Sequence, residues 1–210
     1  MKKKELVFKK VKKKYFTFIK KQEILGEPFY NKLKQLNFFY LPICDYIFKK
    51  FKNSKKTFII GLSGGQGSGK STIAQIIKII LKTKYKLNVI NFSIDDYYKT
   101  SEERVKLSKI YSKLFITRGV PGTHDTKLLM SDIKKLKRKN FKQFSIPKFD
   151  KSIDDRMKKK NWIKIKKKPQ IIIFEGWCIG ARPQNNNSIN KPINRLEKYY
   201  DVDLTWRKKV

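Results

Sequence analysis

One run constrains this chain more than any other: Gly64-Gly65-Gln66-Gly67-Ser68-Gly69-Lys70-Ser71-Thr72. It fits the pattern G-x-x-x-x-G-K-[ST] of a phosphate-binding loop, which carries meaning only between a strand and a helix. The flanks supply both. Thr57 to Leu62 is short, apolar and β-branched, and reads as a buried strand. Ser71 to Lys82 carries Ile73, Ala74, Ile76, Ile77, Ile79, Ile80 and Leu81 without a breaker, and predicts a largely buried helix. The composition suits the chemistry. Glycines let successive N–H groups turn toward phosphate oxygens, and the helix N-terminus adds partial positive charge. In such a loop Lys70 reaches the β- and γ-phosphates of ATP and the Ser71 hydroxyl serves Mg²⁺.

The remaining composition sets bounds. At 210 residues the chain suits one domain with room for a real core. Lys and Arg total 52 against 17 Asp and Glu, a formal charge of +35. Such a balance raises the question of nucleic acid or an anionic membrane. Only seven of the 52 are Arg, however, whereas nucleic-acid sites rely on Arg for bidentate contacts. The lysines are scattered along the whole chain, so nucleic acid is not the expected partner. Cys44 and Cys178 form no spacing motif, and no apolar run approaches a membrane span. The N-terminus lacks the apolar core of a signal peptide. These features predict a cytoplasmic protein without a membrane partner. They are silent on oligomeric state.

Along the chain, residues 1–14 hold eight lysines and one glutamate and predict a solvated, poorly ordered arm. Tyr15 to Lys34 is weakly helical, broken by Gly26 and Pro28. A better helix starts at Pro42, with Ile43, Ile47 and Phe51 at four-residue spacing. Leu87 to Ile94 is a second strand, ending at Asp95-Asp96-Tyr97-Tyr98. Taken alone the two acids could be turn or cap residues. Beside a phosphate loop they read as site residues, because α/β ligands bind at the carboxyl ends of parallel strands. Ser101 to Phe115 predicts a helix with Ser101 as N-cap. The turn-rich Arg118 to Asp125 opens another helix whose buried face is Leu128, Leu129, Ile133 and Leu136. Arg118, His124 and Asp125 are candidate site residues there. Phe144 to Phe149 is a short extended piece before Asp150-Lys151-Ser152, and Lys158 to Lys168 reads as an exposed excursion. Gln170 to Glu175 is a third clear strand, again ending in an acid. Pro192 to Val210 looks helical.

Taken together, G-L-S-G-G-Q-G-S-G-K-S-T, S-I-D-D-Y-Y, R-G-V-P-G-T-H-D, P-K-F-D-K-S and I-F-E-G-W resemble one family, in its order. It is the plant and cyanobacterial D-glycerate 3-kinases, in the phosphoribulokinase/uridine kinase branch of phosphate-loop kinases. The likeness spans roughly residues 38 to 207, and its R-G-x-P-G-T-H-D and E-G-W elements are the selective ones. It implies a three-layer α/β fold with a mainly parallel sheet and an N-terminal helical extension. Residues 1–40 would be basic arm and extension, and 41–210 the kinase domain. It implies ATP and Mg²⁺, with Gly64 to Thr72 as the nucleotide site and Ser71 and Glu175 serving the metal. Lys70, Asp95 and Glu175 would be catalytic, Asp95 as general base. Arg118, His124, Asp125, Asp150, Lys151 and Arg156 would border the acceptor.

Two departures from the resemblance stand out. The spacer between D-K-S and D-R is shortened to Ile153-Asp154, which trims the acceptor-side loop. The chain also stops before a strand, a mobile arginine-bearing segment and a closing helix that such kinases carry, so a C-terminally truncated relative is expected. The expected reaction is transfer of the ATP γ-phosphoryl to a small hydroxy acid, D-glycerate giving 3-phosphoglycerate. The alternatives are another small alcohol (nucleoside- or pantothenate-like), nucleotide binding with little turnover, and a basic nucleic-acid-binding module.

Overall fold

A computed structural model describes residues 2–26, 28–54 and 56–210. The chain divides into two compact units. The first comprises Met1–Phe92, Leu136–Phe141 and Lys167–Trp177; the second comprises Ser93–Lys135, Lys142–Lys166 and Cys178–Val210.

The first unit is an α/β layer of helices on a parallel sheet. Its helices are α1 (Lys2–Ile24), α2 (Lys32–Gln35), α3 (Leu41–Ser54) and α4 (Lys70–Lys84). Its strands are β1 (Phe58–Ser63), β2 (Val89–Ser93) and β7 (Ile171–Gly176), in the order β1-β7-β2. The central strand β7 reads Ile-Ile-Ile-Phe-Glu-Gly, and Ile171, Ile172 and Ile173 are fully buried. A continuous apolar run is what a strand covered on both faces requires. Its register against β1 is parallel, from Phe58 opposite Ile171 to Ser63 opposite Gly176. Glu175 therefore stands beside Leu62, where β1 runs into the phosphate loop. Helix α4 buries Ala74, Ile76, Ile77, Ile80 and Leu81 in the same core.

The N-terminal stretch differs from the solvated arm expected of residues 1–14. It is a 23-residue helix with Val11, Tyr15 and Ile19 buried. Val7, Val11, Tyr15 and Ile19 recur every four residues, which makes one apolar stripe. That stripe packs against α4 and joins its core, while the lysines between stay outside. Long lysine stems tolerate such a position because their heads remain in water. The Tyr15 hydroxyl donates to the Lys32 carbonyl at 3.2 Å, tying α1 to the start of α2. A π-helical turn, Leu36–Tyr40, joins α2 to α3. Among the described residues no helix is long and apolar enough to cross a membrane.

The second unit opens with a 3₁₀ turn, Ile94–Tyr97, directly after β2. It continues through α5 (Ser101–Ile110), a 3₁₀ turn Lys113–Ile116 and α6 (Thr126–Lys137). Thr100 rather than Ser101 caps α5: its hydroxyl takes the Glu103 N–H while Glu103 takes the Thr100 N–H. This reciprocal pair satisfies two donors that the first turn leaves without partners. The helix stops at Ile110, short of the expected Phe115, and Ser112 caps the tighter turn that follows. β3 (Phe144–Ile146) pairs antiparallel with β6 (Ile163–Ile165), so the lysine-rich excursion contains a strand with Ile165 buried. β4 (Phe149–Asp150) and β5 (Asp155–Arg156) form a short hairpin. The C-terminal stretch holds three short helices, α7 (Asn186–Ile189), α8 (Arg195–Tyr200) and α9 (Thr205–Lys209). The break between the last two falls at Asp201, whose carboxylate accepts from the Trp206 and Arg207 N–H groups.

Candidate active site

The loop of the first unit has the geometry that its residues predict. Gly67 and Gly69 both have φ +77°, a left-handed conformation that a side chain resists. A Cβ on Gly64 would meet Ser68 Oγ at 2.8 Å, so a side chain there would require the serine hydroxyl to turn away. Gly69 is the N-cap of α4, and Gly65 to Gly69 are all exposed. The Lys70 ammonium donates to the Gly65 carbonyl at 2.6 Å, which places it over the loop. Ser71 Oγ donates to Glu175 Oε1 at 2.8 Å, across 104 residues of chain. Glu175 is buried, 6% exposed.

A triphosphate fits this cradle, since open backbone N–H groups, a helix N-terminus and an ammonium converge on it. One hydroxyl and one carboxylate are hard oxygen donors of the kind Mg²⁺ takes alongside phosphate oxygens. Among the described residues no cluster of three or more His, Cys, Asp or Glu forms a metal cage of protein groups alone. Such a donor set suits a metal that arrives with the nucleotide.

The second unit gathers the acceptor-side candidates. The two acids after β2 have separate fates. Asp96 is 5% exposed and accepts from the Lys148 ammonium at 2.9 Å and from the Ser93 and Phe149 N–H groups. It is consumed in holding the turn. The Asp95 side chain is 26% exposed and pairs with the Lys151 ammonium at 2.8 Å. Tyr98 is hydrogen-bonded to it, and burial together with the Asp95 charge pushes the Tyr98 phenol above its usual range. Asp95 is thus the more exposed of the two acids, held by Lys151 and Tyr98.

The other candidates hold one another. Arg156 donates to the Tyr98 carbonyl at 2.7 Å and to Asp125 at 3.4 Å. Asp125 in turn caps α6 by accepting the Leu128 N–H. Asp150 accepts from the N–H and hydroxyl of Ser152, which hold its carboxyl below the usual range. His124 is 3% exposed and stacks on the Tyr98 ring, centroids 4.3 Å apart. Its Nε2 has no hydrogen-bond partner among the described residues. Arg118 pairs with Asp154. Reasoning on sequence passed over Asp154 and also Arg104, a fully buried arginine of α5. A charged residue inside a helix rich in charge gives no local sign that it is buried.

Burial drives the His124 pKa down to about 4, against a usual 6.5, with the Asp95 charge opposing weakly. The imidazole is therefore neutral at physiological pH, with Nε2 buried and without a hydrogen-bond partner among the described residues. Because the folded pKa is depressed, the unfolded chain binds the extra proton between about pH 6.5 and 4. Stability should fall as pH drops through that window, by roughly 3 kcal/mol at most. Urea unfolding from pH 7 to 4 should show this slope in the native chain and a shallower one in His124→Gln. Equal slopes would rule out His124 as its source.

A strand-loop-helix phosphate cradle on a parallel sheet, with a strand-end glutamate on the loop serine, defines a P-loop kinase fold. Residues 59–185 match the Phosphoribulokinase / Uridine kinase family, and the chain belongs to it. It is 37% identical over 148 residues to an uncharacterized kinase, mug58, of Schizosaccharomyces pombe, covering 67% of this chain and 53% of that protein. It is 30% identical over 178 residues to the chloroplastic D-glycerate 3-kinase of Arabidopsis thaliana, covering 77% of this chain and 38% of the other. A solved D-glycerate 3-kinase from Cryptococcus neoformans superimposes with a TM-score of 0.64 at 27% identity, covering 71% of this chain and 55% of that one. The chain spans about half the length, or less, of these relatives.

Proposed function

We propose that this chain belongs to an ATP-dependent kinase whose acceptor is a small hydroxy acid, D-glycerate. The observation that carries the reading is the Asp95–Lys151 pair at 2.8 Å. A hydroxy acid presents a hydroxyl, which needs a base, and a carboxylate, which needs a cation. This pair offers both side by side, with the Lys151 side chain 62% exposed. The two relatives named D-glycerate 3-kinases support the choice of acid.

The roles follow from the chemistry. The Gly64–Thr72 loop holds the triphosphate by its N–H groups, and Lys70 takes charge from the β- and γ-phosphates. Ser71 and Glu175 would hold Mg²⁺, which supplies neutralisation of phosphate charge. Asp95 accepts the acceptor's hydroxyl proton as its oxygen bonds to the γ-phosphorus. The bond from that phosphorus to the β,γ-bridging oxygen breaks, and ADP leaves. Lys151 and Arg118 supply the positive charge that orients the acceptor through its carboxylate, and neutral His124 packs against the Tyr98 ring beside Asp95. Catalysis rests on positioning and charge stabilisation, with no covalent enzyme intermediate.

The test is ADP release from Mg·ATP with D-glycerate, uridine, pantothenate and ribulose 5-phosphate in parallel. Binding of each, measured by calorimetry, separates a slow chemical step from a missing acceptor site. D-Glycerate should bind and stimulate above the other three. Stimulation by uridine or pantothenate with no glycerate binding would overturn the acceptor assignment.

A further inference from the structure

The shortened stretch between Lys151 and Arg156 becomes the turn of the β4–β5 hairpin. Its last residue, Asp154, has φ +51°, inside the left-handed region. Non-glycine residues are uncommon there, and Asp is among the few that tolerate it. Its carboxylate is held on two sides. Oδ2 accepts from Arg104 Nη2 at 2.6 Å, and Oδ1 accepts from Arg118.

The two arginines are not equivalent. The Arg104 side chain is 1% exposed. It also donates to the carbonyls of Ile116 at 3.2 Å, Lys99 at 2.8 Å and Asp154 at 2.9 Å. It therefore stays with Asp154 whatever Arg118 does. The Arg118 side chain is 30% exposed, and Asp154 is the anion with which it pairs. Its guanidinium also lies over the Phe149 ring, 5.6 Å from the centroid. Arg118 can exchange its partner without leaving Asp154 as an unpaired charge.

We propose that Asp154 is a specificity-determining latch: it competes with the acceptor's carboxylate for Arg118. The inference rests on the reading of this unit as the site of an acidic acceptor. An anionic acceptor can displace Asp154 from Arg118, because a carboxylate replaces a carboxylate. A neutral alcohol has nothing to offer the guanidinium. The latch thus weakens acceptor binding while confining use of Arg118 to anions.

The test uses Asp154→Asn in the full chain. Asparagine accepts the left-handed conformation and still accepts a hydrogen bond from Arg104, but gives up the charge shared by Arg118 and buried Arg104, so some loss of stability is expected and both measurements are made where the variant is fully folded. Phenylglyoxal labelling at Arg118, followed by mass spectrometry, should become several-fold faster in the variant. Equal labelling rates would overturn the latch. KM for D-glycerate should fall roughly 1.5- to 5-fold, the scale of a partly exposed ion pair, with kcat and the KM for ATP within twofold. An unchanged or raised glycerate KM would also overturn it, since a purely structural Asp154 would cost stability without tightening D-glycerate binding. If the asparagine variant folds poorly, the native chain carries the test: D-glycerate, and not uridine, should change the rate of phenylglyoxal labelling at Arg118, and identical rates with and without D-glycerate would overturn the latch. If neither protein responds to D-glycerate, the acceptor assignment fails, and the labelling rates still decide whether Asp154 latches Arg118.

Discussion

Asp95→Asn should lower turnover by roughly 10²- to 10⁴-fold, the usual range for loss of a general base. ATP affinity should stay within about twofold, since the phosphate contacts proposed for Gly64–Thr72 are left unchanged. The contrast with its neighbour makes the experiment decisive. Asp96 accepts three hydrogen bonds, one from a lysine, and is 5% exposed. Asp96→Asn should therefore act on stability, leaving the folded fraction able to turn over. The measurements are initial rates of ADP release with saturating acceptor, nucleotide affinity by calorimetry, and urea midpoints for both variants. Near-normal turnover in Asp95→Asn, with a large rate loss in Asp96→Asn at unchanged stability, would reverse the assignment.

Arg104→Ala should destabilise the folded chain by about 3–5 kcal/mol, with Arg104→Lys losing roughly half as much. The alanine removes donors from the carbonyls of Lys99, Ile116 and Asp154 together with the ion pair to the Asp154 carboxylate. It also empties a large, fully buried site over the Phe149 ring. The lysine keeps one charge and part of the stem but cannot reproduce the planar fork. Chemical unfolding of the three proteins at pH 7 checks this. A loss below about 1 kcal/mol for alanine would mean that water replaces the lost donors, and that Arg104 does not organise the second unit.

Much of the architecture was legible from local pattern. The phosphate loop, its flanking strand and helix, and the strands near 89 and 171 fall within one or two residues of expectation. The acid at each strand end was also visible in sequence. These features depend on apolar period, turn chemistry and glycine spacing, all of which act over a few residues. The N-terminal helix could have been found by the same means. Its apolar stripe at residues 7, 11, 15 and 19 was masked by the lysines around it, because bulk charge outweighed period in the reading.

The tertiary structure alone decided what the site residues do for one another. Ser71 meets Glu175 across 104 residues, Lys151 meets Asp95 across 56, and Arg104 meets Asp154 across 50. No helical or strand period reaches so far, so nothing local marks these partners. The sequence by itself determined which groups could bind a phosphate or take a proton. Burial and distance then separated Asp95, about a quarter exposed and paired with Lys151, from Asp96, buried and spent on the turn. They also gave Arg118 an internal carboxylate. The cause is desolvation: a buried charge must find partners within the fold, and which partners it finds depends on segments far apart along the chain.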